Sequence, residues 1–175
     1  MGFWSFLGFG RKNSEVVSNI KSEAVDITCR EKFINDFDIF RTTYDMNYNK
    51  AKLFPQTDLM KYLLKDSRSF FANDLVDGFD GMEKSLSYNS GINLRNFNSL
   101  STKLNTRINN NLRMSEQVDK YISDNHRPKE DREWPKVVSM LNCYVKVSLS
   151  AKKYFDDICR RGEAVVRVDL DQVKK

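Results

Sequence analysis

The side chains best suited to chemistry are few: Cys29, Cys143 and Cys159, a single histidine at position 126, and the carboxylates Asp74, Asp77, Asp80 and Glu83. Nucleophilic catalysis needs a base held beside the nucleophile, and no spacing along the chain joins His126 to a cysteine. One histidine also excludes the paired Glu-x-x-His motifs of di-iron bundles and the His-Glu-x-x-His zinc helix. The cysteines are odd in number and contain no CxxC pair, so they read as free thiols of a reducing compartment. The four carboxylates recur every third residue, whereas a calcium loop needs alternate-residue ligands and a closing glutamate. On a helix a step of three keeps them on one slowly drifting face, so the ladder reads as a solvated acidic surface. Neither GxxxxGK[ST] nor GxGxxG occurs. The expectation is a protein that is not an enzyme, with no cofactor, no metal site and no evident small-molecule substrate.

The contact-making residues lie elsewhere. Phe3, Trp4, Phe6, Leu7 and Phe9 put large apolar groups on all sides of a short opening segment, and Arg11 and Lys12 follow at once. The stretch is too short to span a bilayer and lacks the basic start and cleavage site of a signal peptide. It misses the myristoylation pattern, which wants Ser or Thr where Phe6 stands. Aromatic side chains followed by cations suit a membrane interface, a groove on a partner or a second copy, or the chain's own core. Further along, Lys103 and Arg107 are one helical turn apart and, with Arg113, are candidates for phosphate contact, with Asn109, Asn110 and Asn111 near enough to read base edges. Near the end, Val166, Val168 and Leu170 alternate with Arg167, Asp169 and Asp171, a period-two pattern that could add a strand to another molecule's sheet.

The elements that must position these residues are helical. In a chain of 175 residues, 7 glycines and 3 prolines are few breaks, which favours a small number of long elements. Apolar residues step by three or four from Val16 to Ala51, with Asn13 or Ser14 to cap the start and Pro55 to close it. A second stripe runs from Asp58 to about Ser87 and contains Gly78 and Gly81, where a kink or early stop is expected. A third runs from Leu94 to Ile122. A fourth begins at Trp134-Pro135 and is expected to stop at Arg160-Arg161-Gly162.

The fold predicted is therefore all-α, an antiparallel bundle of about four long amphipathic helices over 13–162. An apolar and basic anchor segment over 1–12 precedes it, and an extended, strand-like tail over 163–175 follows. Basic side chains outnumber acidic ones, 29 to 24, and the excess of +5 is ordinary for a mixed-sign helical surface. The function expected is a helical scaffold or adaptor in the cytoplasm that contacts a membrane surface, a partner protein or a second copy through its aromatic N-terminus and its tail. The alternative is a nucleic-acid-associated protein using the basic third and fourth helices.

Overall fold

The computed structural model describes the backbone over 13–69, 74–87, 93–128 and 130–173, and the side chains over 29–65, 74–87, 93–128 and 130–163. Among the described residues six helices follow in order: α1 Asn13–Ala51, α2 Asp58–Ser69, α3 Val76–Leu86, α4 Leu94–Ser115, α5 Val118–Asp124 and α6 Trp134–Val173. Their ends obey local chemistry. Pro55 stops α1, and the Gln56 side-chain amide donates to the Ala51 and Phe54 carbonyls at 3.2 and 2.7 Å, satisfying acceptors that the helix leaves open. Asn93 caps α4 by accepting the Asn96 N–H at 3.1 Å. Asp131 caps α6 by accepting the N–H groups of Glu133 and Trp134 at 3.0 and 3.1 Å, and Pro135 follows in the first turn.

The long helices α1 and α6 form the principal contact of the molecule. Rings meet in reverse order along the two segments: Phe33 with Tyr154, Phe40 with Tyr144 and, just past the end of α1, Phe54 with Trp134, at centroid separations of 5.8, 5.9 and 5.2 Å. The pair is therefore antiparallel. Helix α4 packs on α6 and on α3, and α2 bridges α1 and α4. Phe33, Phe40, Leu63, Leu75, Phe79, Leu104, Ile108, Leu141, Tyr144 and Ile158 belong to one continuous core.

The all-α reading holds, and several expectations inside it are corrected. The tail is not a strand: α6 runs on through Gly162 to Val173, so the backbone of Val166, Val168 and Leu170 is helical and offers no strand for addition. A single short strand with no partner leaves its backbone groups unpaired, whereas extending an existing helix adds a hydrogen bond per residue. Gly162 is not a stop but a close approach, since a Cβ there would lie 2.7 Å from the Phe97 ring. Along the stripe from Asp58, α2 and α3 lie on either side of residues 70–73, which are outside the described residues, and Gly78 sits inside α3 rather than ending it. The stripe from Leu94 likewise breaks after Ser115, whose hydroxyl turns back to the Leu112 carbonyl at 2.7 Å, and resumes as α5. The anchor residues Phe3, Trp4, Phe6, Leu7, Phe9, Arg11 and Lys12 lie outside the described residues.

The two glycines of α3 let it approach α4, but they are not equivalent. A Cβ on Gly78 would meet three atoms of the buried Leu104 at 2.7–3.0 Å, while one on Gly81 would meet a single methyl of the half-buried Leu100 at 2.8 Å. Gly78→Ala should therefore lower stability by about 1–3 kcal/mol, because overpacking outweighs the gain in helix propensity. Gly81→Ala should be neutral or stabilising by up to about 1 kcal/mol, because Leu100 can rotate away. Urea denaturation of the two variants checks the contrast.

Candidate functional site

The densest group of polar side chains lies where α1, α3 and α6 meet. Arg161 grips Glu83 with both ends of its guanidinium, Nη1 to Oε2 at 2.9 Å and Nη2 to Oε1 at 2.6 Å. The Tyr154 hydroxyl donates to the same Oε1 at 2.9 Å. Asp157, almost wholly buried, pairs with Arg161 Nε at 3.3 Å and with Arg160. Arg30 of α1 reaches Asp80 at 3.9 Å across the mouth of a cavity of about 300 Å³ lined by Phe33, Ile34, Phe37, Val76, Phe79 and Tyr154. The helix period creates the group: Asp80 and Glu83 are three apart on α3, and Tyr154, Asp157 and Arg161 are three and four apart on α6.

Burial pushes the Glu83 carboxyl up, but the hydrogen bonds from Arg161 and Tyr154 and the charges of Arg161 and Arg30 outweigh it and hold the group below the ordinary carboxylate range. Burial and the bond to Glu83 push the Tyr154 phenol well above its usual value. At neutral pH Glu83 is thus a carboxylate and Tyr154 a neutral donor. Neither is poised to exchange a proton near pH 7, which general acid–base catalysis would require. The arrangement instead clamps α3 to α6.

A second polar centre sits deeper. Asn111, 1 % exposed, accepts the Tyr62 hydroxyl at 2.8 Å on its side-chain oxygen, and the Tyr144 hydroxyl reaches its backbone carbonyl at 3.0 Å. Its Nδ2 has no hydrogen-bond partner. Burial and the neighbouring Tyr62 drive the Tyr144 phenol far upward, so it too remains neutral.

The other residues singled out from sequence are dispersed. Lys103, Arg107 and Arg113 are all exposed on α4. Arg107 is held by Asp74 at 2.6 Å beside a shallow cavity of about 720 Å³ between α3 and α4, also lined by Lys103. Arg113, six residues beyond Arg107, points about a third of a turn away. His126 is exposed in the α5–α6 loop, and no cluster of three metal-ligating side chains occurs among the described residues. Cys143 approaches the Thr43 hydroxyl at 3.9 Å and Cys159 that of Ser101 at 3.7 Å. Burial, with the charges of Asp156 and Glu163, raises the Cys159 thiol and keeps it protonated.

The acidic ladder is not a uniformly solvated face: Asp74, Asp80 and Glu83 pair with Arg107, Arg30 and Arg161 respectively, and Asp77 is exposed. Sequence reading missed the Glu83–Tyr154–Arg161 clamp because its ends are 78 residues apart. The one available signal was the i, i+4 pair Asp157 and Arg161 on a helix.

No protein family, curated protein or solved structure matches the chain.

The clamp predicts a pH dependence. Because the folded-state pKa of Glu83 is lowered, its contribution is present above the unfolded value near 4.5 and disappears as pH falls through the lower folded value. Glu83→Gln should cost about 1–3 kcal/mol at pH 7, the scale of hydrogen bonds to a charged group. The gap from the parent chain should close progressively below pH 4.5. Urea midpoints from pH 7 to pH 3 measure it.

Proposed function

We propose that the chain is a non-enzymatic helical scaffold held at a membrane surface by Phe3, Trp4, Phe6, Leu7 and Phe9, with Arg11 and Lys12 at the level of the headgroups. The observation that carries this reading is continuity. α1 begins at Asn13, directly after the cations, and runs without a break to Ala51, where it is part of the core. A membrane-bound N-terminus would therefore be joined to the bundle by a rod and not by a flexible linker. No helix among the described residues is long and apolar enough to cross a membrane, so the contact proposed is with the surface. The free thiols of Cys29, Cys143 and Cys159 suit a reducing compartment, which makes the cytoplasmic face the one addressed. A groove on a partner protein is the other docking place that five such side chains would fit. A nucleic-acid role for Lys103, Arg107 and Arg113 is the weaker reading, because Asp74 already neutralises Arg107 and the three do not share a face.

Anchoring by a few aromatic side chains is reversible, with a binding constant on the order of 10⁴ M⁻¹, as for one short lipid chain. Co-sedimentation with anionic vesicles should show binding of that strength for the full chain and its loss on removing residues 2–10. A deletion that leaves vesicle binding intact but abolishes a complex with another protein would move the contact from lipid to partner. One that changes neither vesicle binding nor oligomer mass would end the anchor reading.

A further inference from the structure

The register of α1 against α6 decides what sits at each pole of the molecule. Phe33 on α1 meets Tyr154 on α6 and Phe40 meets Tyr144, so the two helices run side by side in opposite directions. From Phe33 the backbone of α1 continues about 30 Å to its start at Asn13, and from Tyr154 that of α6 continues about 28 Å to its end at Val173. The start of one helix and the end of the other are thus level to within about one turn, ~5 Å, at a single pole. Packed helices stay about 8–10 Å apart, which is the spacing expected between them there. Gly162, against the Phe97 ring near the start of α4, is about 16 Å short of Val173, so the last turns of α6 reach past the first turn of α4. The α1–α2 turn and the α5–α6 loop form the opposite pole, tied together by the Tyr121 hydroxyl on the Pro55 carbonyl at 3.0 Å. Ala51, at that end, is about 57 Å from Asn13 along α1.

Cations flank that first pole in the sequence. Arg11 and Lys12 immediately precede α1, and Lys174 and Lys175 immediately follow α6. The nearest carboxylates, Glu15, Asp169 and Asp171, are set back from the helix ends by about 3–6 Å along the axes. We propose that Arg11, Lys12, Lys174 and Lys175 form one headgroup-binding surface, assembled by the antiparallel pairing of α1 and α6, which docks this pole end-on onto an anionic lipid surface. The proposal rests on the membrane reading of the N-terminus and adds to it a lipid class, a second contributing segment and an orientation. Each Lys or Arg near an anionic leaflet is attracted to it, and the attraction dies away within a Debye length of about 8–10 Å. The order of charges along the axis therefore matters. The outermost cations meet the surface first, and the carboxylates behind them are repelled less. With Arg167 about 9 Å in from Val173, cations outnumber carboxylates within that distance of the helix ends. Insertion of aromatic side chains does not by itself choose between lipids, whereas this charge confers a preference for anionic ones. The orientation leaves the opposite pole about 57 Å from the bilayer.

Co-sedimentation of the full chain with mixed phosphatidylserine–phosphatidylcholine vesicles and with phosphatidylcholine vesicles tests it. The chain should bind the anionic vesicles more tightly. Lys174→Ala with Lys175→Ala should weaken anionic binding by about tenfold or more, while leaving helicity and phosphatidylcholine binding unchanged. That difference should vanish in about 1 M salt, where the Debye length is about 3 Å. Lys120→Ala with Arg132→Ala removes the same charge from exposed positions at the opposite pole and should leave binding unchanged. In a background with Cys29, Cys143 and Cys159 replaced by Ser, Asn13→Cys and Val173→Cys should be joined within one chain by a bismaleimide about 10 Å long, the helix spacing. Equal losses from changes at the two poles overturn the proposal and leave the membrane reading standing. So does failure of the Asn13–Val173 cross-link, and so does binding that is indifferent to the two lysines but abolished by removing residues 2–10. A full chain that binds neither kind of vesicle overturns both.

Discussion

A tyrosine can be buried only if its hydroxyl finds a partner, because an unpaired hydroxyl in an apolar interior costs more than its hydrogen bond would return. The packing of this bundle follows from that constraint. The seam between α1 and α6 is built largely of aromatic rings, and its tyrosines end inside the molecule. Each hydroxyl reaches a different element: Tyr44 to the Leu63 carbonyl in α2, Tyr144 to the Asn111 carbonyl in α4, and Tyr154 to Glu83 in α3. Tyr121 of α5 likewise reaches the Pro55 carbonyl in the α1–α2 turn. The shorter helices are thus fixed in place by polar ends of the apolar seam, and hydrophobic contact alone would allow them to slide.

Two of these attachments carry a cost that shows what they do. Asn111 satisfies two tyrosines with its oxygens and leaves Nδ2 without a partner in a site that is 1 % exposed. An apolar residue of similar volume would remove that orphan donor together with the side-chain oxygen that accepts from Tyr62, while the backbone carbonyl would still accept from Tyr144. Glu83 is half-buried and ionised, which is tolerable only because Arg161 meets both of its oxygens. Both centres trade some stability for a defined register between helices. In this cluster Asp80, Glu83 and Asp157 are each paired with an arginine, and the Glu83 carboxyl is held below and the Tyr154 phenol above its ordinary range.

What the bundle leaves outward is correspondingly simple. Its acidic ladder is mostly consumed by Arg30, Arg107 and Arg161. The cavities beside α3 are shallow gaps between helices, bordered by ion pairs. The outward ridge of Ile39, Met46 and Leu53 is different in kind, since it is the place where apolar side chains recur with helical regularity and no residue of the described core covers them.

The sequence by itself determined the helical class, the long first helix with its stop at Pro55, the start of α6 at Trp134-Pro135, and the apolar stripes that became the core. These depend on interactions between residues three or four apart, which a linear reading contains. It did not determine the fate of its glycines. Gly78 and Gly162 read locally as breaks, yet both lie in helices, where Leu104 and Phe97 occupy the space a side chain would fill. The period-two tail was overridden in the same way, by a helix already formed upstream. Nor could it pair Glu83 with Arg161 or Tyr144 with Asn111, since nothing in a local pattern specifies which helices become neighbours. That choice belonged to the tertiary structure, where buried hydroxyls and charges must find partners wherever packing brings them.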